Sequence, residues 1–171
     1  MFLISVYIDT SCINAKQEIS ALNELEKLND EEKIIIETTD TLETELRDGK
    51  GYPRGLKKAS NYIFSEGPAV VGHSRLGSCI AGSDEDDRRM TKVLEILFGK
   101  KARNKYTKNE IRDVMHVCTA IRYGGTYFVT LDTKILKRSP EIKNEFQIII
   151  AKPNECLNLV QARLAKSQRN Q

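Results

Sequence analysis

Two aspartates each close a short apolar run: Asp9 follows FLISVYI and Asp132 follows TYFVTL. Asp113 stands among apolar residues in RDVMHVCTA, and Glu43 and Glu45 flank Leu42 and Leu46. Carboxylates brought together repel one another, and some take up protons unless a cation relieves them. Hard divalent ions such as Mg²⁺ or Mn²⁺ prefer carboxylate oxygen. Such ions supply an activated water and a clamp on a phosphodiester, so the chain need offer no nucleophile of its own. An aspartate at a strand end can equally cap the next helix. The acids therefore count jointly, as a pattern, rather than one by one.

Placing them together requires a particular set of elements. FLISVYID reads as a buried strand ending at Asp9. Thr10 and Ser11 then cap a helix with Ile19, Leu22, Leu25 and Leu28 on one stripe, ended by Asn29-Asp30. Lys33 to Thr38 is a second strand. Thr39 or Asp40 caps a helix holding Leu42 and Leu46, and Gly49 stops it. Gly49 to Gly55 reads as a loop and residues 56–65 as a basic helix. PAVVGH and RLGSCI read as short strands or a loop with a strand. Ser83 caps a helix over Asp84 to Phe98, and KKARNK is a basic loop. Thr107 with Glu110 spells a capping box that opens a helix to Tyr123, stopped by Gly124-Gly125. After the Asp132 strand come a short helix at Thr133 to Lys137, the strand FQIIIA, a helix from Asn154 to Leu164, and a polar tail expected to fray.

Alternating strands and helices predict an α/β fold: a three-layer α/β/α sandwich with a mainly parallel sheet. The 171 residues fit a single domain, 1–171, without repeat or linker. Parallel sheets bind ligands at the carboxyl ends of their strands. Asp9 and Asp132 share that edge. Glu43 and Glu45 open the helix that leaves it, and Asp113 lies near the start of a helix that begins there. Asp113 shares a face with Val117 and Ala120 on the margin of the buried stripe, where a carboxylate is costly without a compensating cation. Glu43 and Glu45 lie about 80° to either side of the Leu42/Leu46 face, so geometry does not choose between them. Asp40 points away and reads as a cap.

Other features take simpler readings. Asp84-Glu85-Asp86-Asp87 suits the positive end of a helix. His116, three residues past Asp113, either faces the pocket rim or, more simply, is a satisfied core or surface histidine. Lys100, Lys101, Arg103, Lys105 and Lys108, with Tyr106, form either an RNA-backbone contact or a solvated loop. Arg54, Lys57 and Lys58 form a second such group, and Lys134 and Arg138 follow Asp132 closely. The net charge of +3 permits a nucleic-acid partner without requiring one. Cys12, Cys79, Cys118 and Cys156 include no CxxC pair, which predicts reduced thiols and a cytoplasmic location. Neither a signal peptide nor a membrane span is read. A phosphoryl-transfer hydrolase with an aspartyl nucleophile wants a second Asp where Ser11 stands. No acid pair suits a receiver domain, and no glycine-rich phosphate loop is present.

Four stretches, YIDTSCI, TLETEL, RDVMHVCTAIRYGG and YFVTLDTKIL, resemble the PIN-domain family of metal-dependent ribonucleases, which includes the VapC-type toxins. The resemblance covers most of the chain. The family's first strand ends in Asp and a small hydroxyl or amide residue, matched by Asp9 with Thr10 and Ser11. Its second acid is a Glu followed by an apolar residue, matched by Glu45-Leu46 and so preferring Glu45 over Glu43. The third heads an Ala-rich helix ending in Gly, as Asp113 does, and the fourth sits in Thr130-Leu131-Asp132. The resemblance implies a PIN-like sandwich and an Mg²⁺ or Mn²⁺ site at Asp9, Glu45, Asp113 and Asp132, supported by Thr10, Ser11 and Thr130. It also implies cleavage of single-stranded RNA, with Lys100, Lys101, Arg103, Lys105 and Lys134 as candidate RNA contacts. An antitoxin partner and homodimer formation are known among toxin-type members. Two features depart from the pattern: the segment 51–108 is enlarged, and Thr133-Lys134 stands where many relatives carry a further acid. The alternative is a catalytically inactive module of this fold that binds RNA or a protein.

Overall fold

Ile4–Ile8 is apolar at nearly every position because both faces of the strand are covered. It forms β1 in the computed structural model, which describes residues 4–15, 18–48, 57–59, 61–75 and 77–169. Val6 and Ile8 face one layer, packing with Leu22, Leu25, Ile36 and Val160. Tyr7 faces the other, with Val93, Leu97, Val114, Val117 and Phe128. The two-residue period of a strand thus feeds two separate cores.

The remaining elements are α1 (Thr10–Ala15), α2 (Ser20–Asp30), β2 (Ile34–Thr39), α3 (Asp40–Asp48), β3 (Ile63–Ser65), α4 (Asp84–Phe98), α5 (Lys108–Arg122), β4 (Tyr127–Val129), α6 (Thr133–Leu136), α7 (Ser139–Phe146), β5 (Ile149–Ala151) and α8 (Pro153–Arg169). The five strands run in the order β3-β2-β1-β4-β5. Every pair is parallel; Val6 sits opposite Ile36 on one side and Tyr127 on the other. Helices cover both faces, giving the expected α/β/α sandwich with an all-parallel sheet. The order reverses at β1: the chain leaves it toward β2 and later returns to its other edge as β4. That junction between β1 and β4 is the topological switch point where ligands bind in such sheets.

Two helix starts follow the sequence closely. Ser83 with Asp86, and Thr107 with Glu110, both form reciprocal capping boxes. Elsewhere the structure corrects the reading. The single helix expected after Asp9 is two, because Ile19 is extended (φ −115°, ψ 107°) and restarts the chain as α2. Residues 63–65 are a strand rather than the end of a basic helix. This edge segment is held by pairing with Glu37–Thr39, while Ile63 and Phe64 stay exposed, so no burial pattern announced it. The described residues of 68–80 form turns, bends and irregular backbone, with one bridge between Pro68 and Ile80. β4 stops at Val129, leaving Thr130 and Asp132 beyond it. FQIIIA is shortened to Ile149–Ala151 because α7, unforeseen, ends at Phe146, stopped by Gln147 at φ 63°. α8 continues through Arg169, past the expected fraying point at Leu164. The Gly49 helix stop and the Gly49–Gly55 loop lie outside the described residues, as do residues 170–171 of the tail.

Candidate active site

Asp9 leaves β1 with its backbone N–H on the Val129 carbonyl at 3.0 Å, which ties it to β4. Its Oδ2 accepts the Ser11 hydroxyl at 2.7 Å and the Thr130 hydroxyl at 2.8 Å. Ser11 Oγ accepts the Leu131 N–H at 3.2 Å, and Thr130 Oγ1 accepts the Asp132 N–H at 3.0 Å. Thr10, expected with Ser11 as a helix cap, instead lies in the first turn of α1 and donates its hydroxyl to Glu45.

Glu45, on the second turn of α3, faces His116 Nε2 at 3.1 Å. Burial raises the Glu45 carboxyl, but the His116 ring and the Thr10 hydroxyl outweigh it and hold the group below the usual range. Glu43 goes elsewhere, to Arg47 and Arg75, both at 2.7 Å. Thr39 and Asp40, expected as alternative caps of α3, each also reach a distant partner. Thr39 Oγ1 lies 2.5 Å from His116 Nδ1, and the buried Asp40 accepts the Gly67 N–H at 3.1 Å.

Asp113 and His116 stand one turn apart on α5. Burial, then the charges of Asp9, Asp132 and Glu45, push the Asp113 carboxyl up to about 7. His116 is 1% exposed. Burial opposes its charge, but Glu45, Asp9 and Asp113 outweigh that and push the imidazole up to about 9. Asp132 does two things. Its Oδ1 caps α6 by accepting the Lys134 and Ile135 N–H groups at 2.6 and 3.2 Å, and the residue also lines the pocket.

Asp9, Glu45, Asp113 and Asp132 line one open hollow of about 740 Å³, with Thr10, Ser11 and Lys134. One donor atom from each of Asp9, Glu45 and His116 lies within 4.8 Å of the others, a spacing that suits a metal ion. The donor chemistry is right for a divalent cation: carboxylate oxygens, one imidazole nitrogen, and an Asp113 carboxyl that resists ionising beside three other acids.

Two further residues belong to the site. His116, read from its spacing to Asp113 as a pocket-rim residue or, more simply, a satisfied histidine, is buried beside Glu45 and Thr39. Arg112 gave no signal. It is buried on the pocket wall and binds Asp48, which Lys108 also holds at 2.8 Å. These two hydrogen bonds pull Asp48 down to about 2.

The basic loop is engaged within the molecule. Lys101 binds Glu110 at 3.0 Å and lies over the Tyr106 ring, Arg103 binds Asp87 at 2.5 Å, and Lys100 is 3.9 Å from Glu95. Lys105 is exposed. Of the five cations singled out as RNA contacts, Lys134 lines the acid pocket. Lys58 donates to the Asn14 carbonyl, and Arg54 lies outside the described residues. The acidic run at 84–87 opens α4, where Asp86 binds Ser83, Arg89 and Arg122. Cys12, Cys118 and Cys156 are buried free thiols pushed up to about 12 by burial. Among the described residues no helix is long and apolar enough to cross a membrane.

The fold is similar to that in the crystal structure of VapBC2 from Rickettsia felis bound to a DNA fragment from their promoter. The TM-score is 0.50 at 14% identity, covering 87% of this chain and 98% of that one. At this identity the likeness concerns the fold alone. No family model matches the chain, and no curated protein matches it in sequence.

Proposed function

We propose that the protein is a divalent-metal-dependent ribonuclease that hydrolyses phosphodiester bonds of single-stranded RNA. The observation that carries this reading is the convergence of Asp9, Glu45, Asp113 and Asp132, from four separate elements, on one pocket at the switch point of a parallel sheet. In this reading those four acids hold Mg²⁺ or Mn²⁺. Bound there, the ion supplies Lewis-acid stabilisation of the phosphodiester and lowers the pKa of a water. Ser11 and Thr130 fix the Asp9 carboxylate, and Thr10 fixes Glu45. Lys134, on the rim, is placed to take an RNA phosphate. Lys100, Lys101, Arg103 and Lys105 would form a more distant backbone contact, reached by exchanging their acidic partners for phosphates.

The likeness to a VapBC2 structure supports extending the reading to a toxin-type endoribonuclease restrained by a protein antitoxin. The test is to incubate the pure protein with end-labelled single-stranded RNA and Mg²⁺, Mn²⁺ or EDTA, beside Asp9→Asn. The expected outcome is metal-dependent cutting, lost in EDTA and in the variant. Equal cutting by both proteins would be contamination. If neither cuts, a melting temperature raised by Mn²⁺ in the wild type alone keeps the metal-site reading, whereas no shift makes the inactive RNA- or protein-binding module the better one.

A further inference from the structure

We propose that His116 is itself a metal ligand, through Nε2, and that the site therefore prefers Mn²⁺ to Mg²⁺. The inference rests on the metal-site reading above and concerns which ion that site selects.

The first argument is spacing. Two donors on one ion at metal–ligand distances near 2.1 Å, with bond angles near a right angle, stand about 3.0 Å apart. His116 Nε2 and Glu45 Oε2 are 3.1 Å apart, and a donor atom of Asp9 completes the set within 4.8 Å.

The second argument is the ring's other nitrogen. Nδ1 lies 2.5 Å from Thr39 Oγ1, deep in the protein, where it can donate its proton. When an ion displaces the Nε2 proton, that tautomer offers the Nε2 lone pair to the metal. A neutral imidazole held by an outer hydrogen bond is the usual form of a ligating histidine.

The third argument is placement. His116 is three residues from Asp113, so both project from one face of α5 toward the sheet edge. A nitrogen donor shifts selectivity. Imidazole suits first-row transition ions, whereas Mg²⁺ holds to oxygen and water.

The competing arrangement is a structural relay in which Thr39 donates to Nδ1 and Nε2–H donates to Glu45. Pulsed electron paramagnetic resonance on Mn²⁺-loaded wild-type protein separates the two, because it detects nitrogen bound directly to the ion. The expected result is a nitrogen coupling that persists in His73→Gln and vanishes in His116→Gln. In parallel, calorimetry should show Mn²⁺ affinity falling about tenfold or more in His116→Gln, with Mg²⁺ affinity changed far less. Mn²⁺ bound without nitrogen coupling in the wild type overturns the proposal, and that measurement needs no variant to fold. RNA cleavage by the same samples keeps the two readings apart. Cleavage without nitrogen coupling leaves the ribonuclease standing and removes His116 from the ligands. Coupling without cleavage does the reverse. Failure to bind either ion removes both.

Discussion

Thr130 Oγ1 donates to Asp9 Oδ2 at 2.8 Å while accepting the Asp132 N–H at 3.0 Å, so a single hydroxyl links two pocket acids that follow different strands. Replacing it by an isosteric methyl should be felt at the metal. Thr130→Val is expected to weaken Mn²⁺ binding by roughly 10–100-fold and to cost about 1 kcal/mol of stability. Calorimetry and thermal unfolding read the two effects separately. Unchanged affinity would mean that Ser11 alone orients Asp9.

Asp113 sets a pH dependence whose sign is fixed by its displacement. Its carboxyl is raised to about 7 in the folded protein. The stability linked to its proton is therefore full below about 4, the unfolded value, and lost as pH climbs through 7. Asp113→Asn removes that loss. The metal-free variant should be more stable than wild type at pH 8, by roughly 1–2 kcal/mol, and nearly equal at pH 4. Because ion and proton compete for the carboxylate, the stabilisation of wild type by Mn²⁺ should grow from pH 6 to pH 8. Melting curves with and without Mn²⁺ check both statements.

Asp86 behaves in the opposite sense. Burial opposes its charge, but Arg122 and the Ser83 N–H and hydroxyl outweigh that and hold it well below the usual range. Its contribution is present above about pH 4 and is lost as pH falls toward the depressed value. Asp86→Asn should cost about 2 kcal/mol at pH 7, the worth of charged hydrogen bonds, and somewhat less at pH 3. Denaturant titrations at the two pH values measure the difference, and RNA cleavage at pH 7 should be retained.

Gly125 lies where a Cβ would meet the Tyr7 ring at 2.7 Å and the Ala120 carbonyl at 3.0 Å. Tyr7 is fully buried between α5 and the sheet, so neither neighbour has room to yield. Gly125→Ala should cost about 1–3 kcal/mol through overpacking, read by chemical denaturation. Gly124→Ala is a separate case: it meets no neighbour but must hold φ at 72°.

The sheet was legible because buried parallel strands write themselves as continuous apolar runs, as in Ile4–Ile8 and Ile34–Ile36. Asp9, Asp113 and Asp132 were legible because each breaks an apolar pattern at a strand end or a helix margin. Glu45 was not separable from Glu43 by helix geometry. The distinction lies in tertiary partners, Arg75 for one and His116 with Thr10 for the other. β3 was hidden because its pairing is carried by backbone on β2 and its apolar side chains, Ile63 and Phe64, face solvent. α7 was hidden because a single buried residue, Ile142, anchors it. His116 was underweighted because nothing local reveals that Thr39 and Glu45, far away in sequence, lie at its two nitrogens.

The central position of β1 also governs when the pocket can exist during synthesis. One edge of β1 can be matched as soon as Thr39 has been made, but the other stays open until Val129 emerges, and Thr130 and Asp132 come only after that. Such late, sequence-distant closure is slow compared with local helix formation. An unfinished chain therefore carries Asp9 without its orienting hydroxyl from Thr130 and without Asp132. Any activity of this pocket is withheld from the nascent polypeptide until Asp132 has been translated, a safeguard built into strand order rather than into an inhibitor.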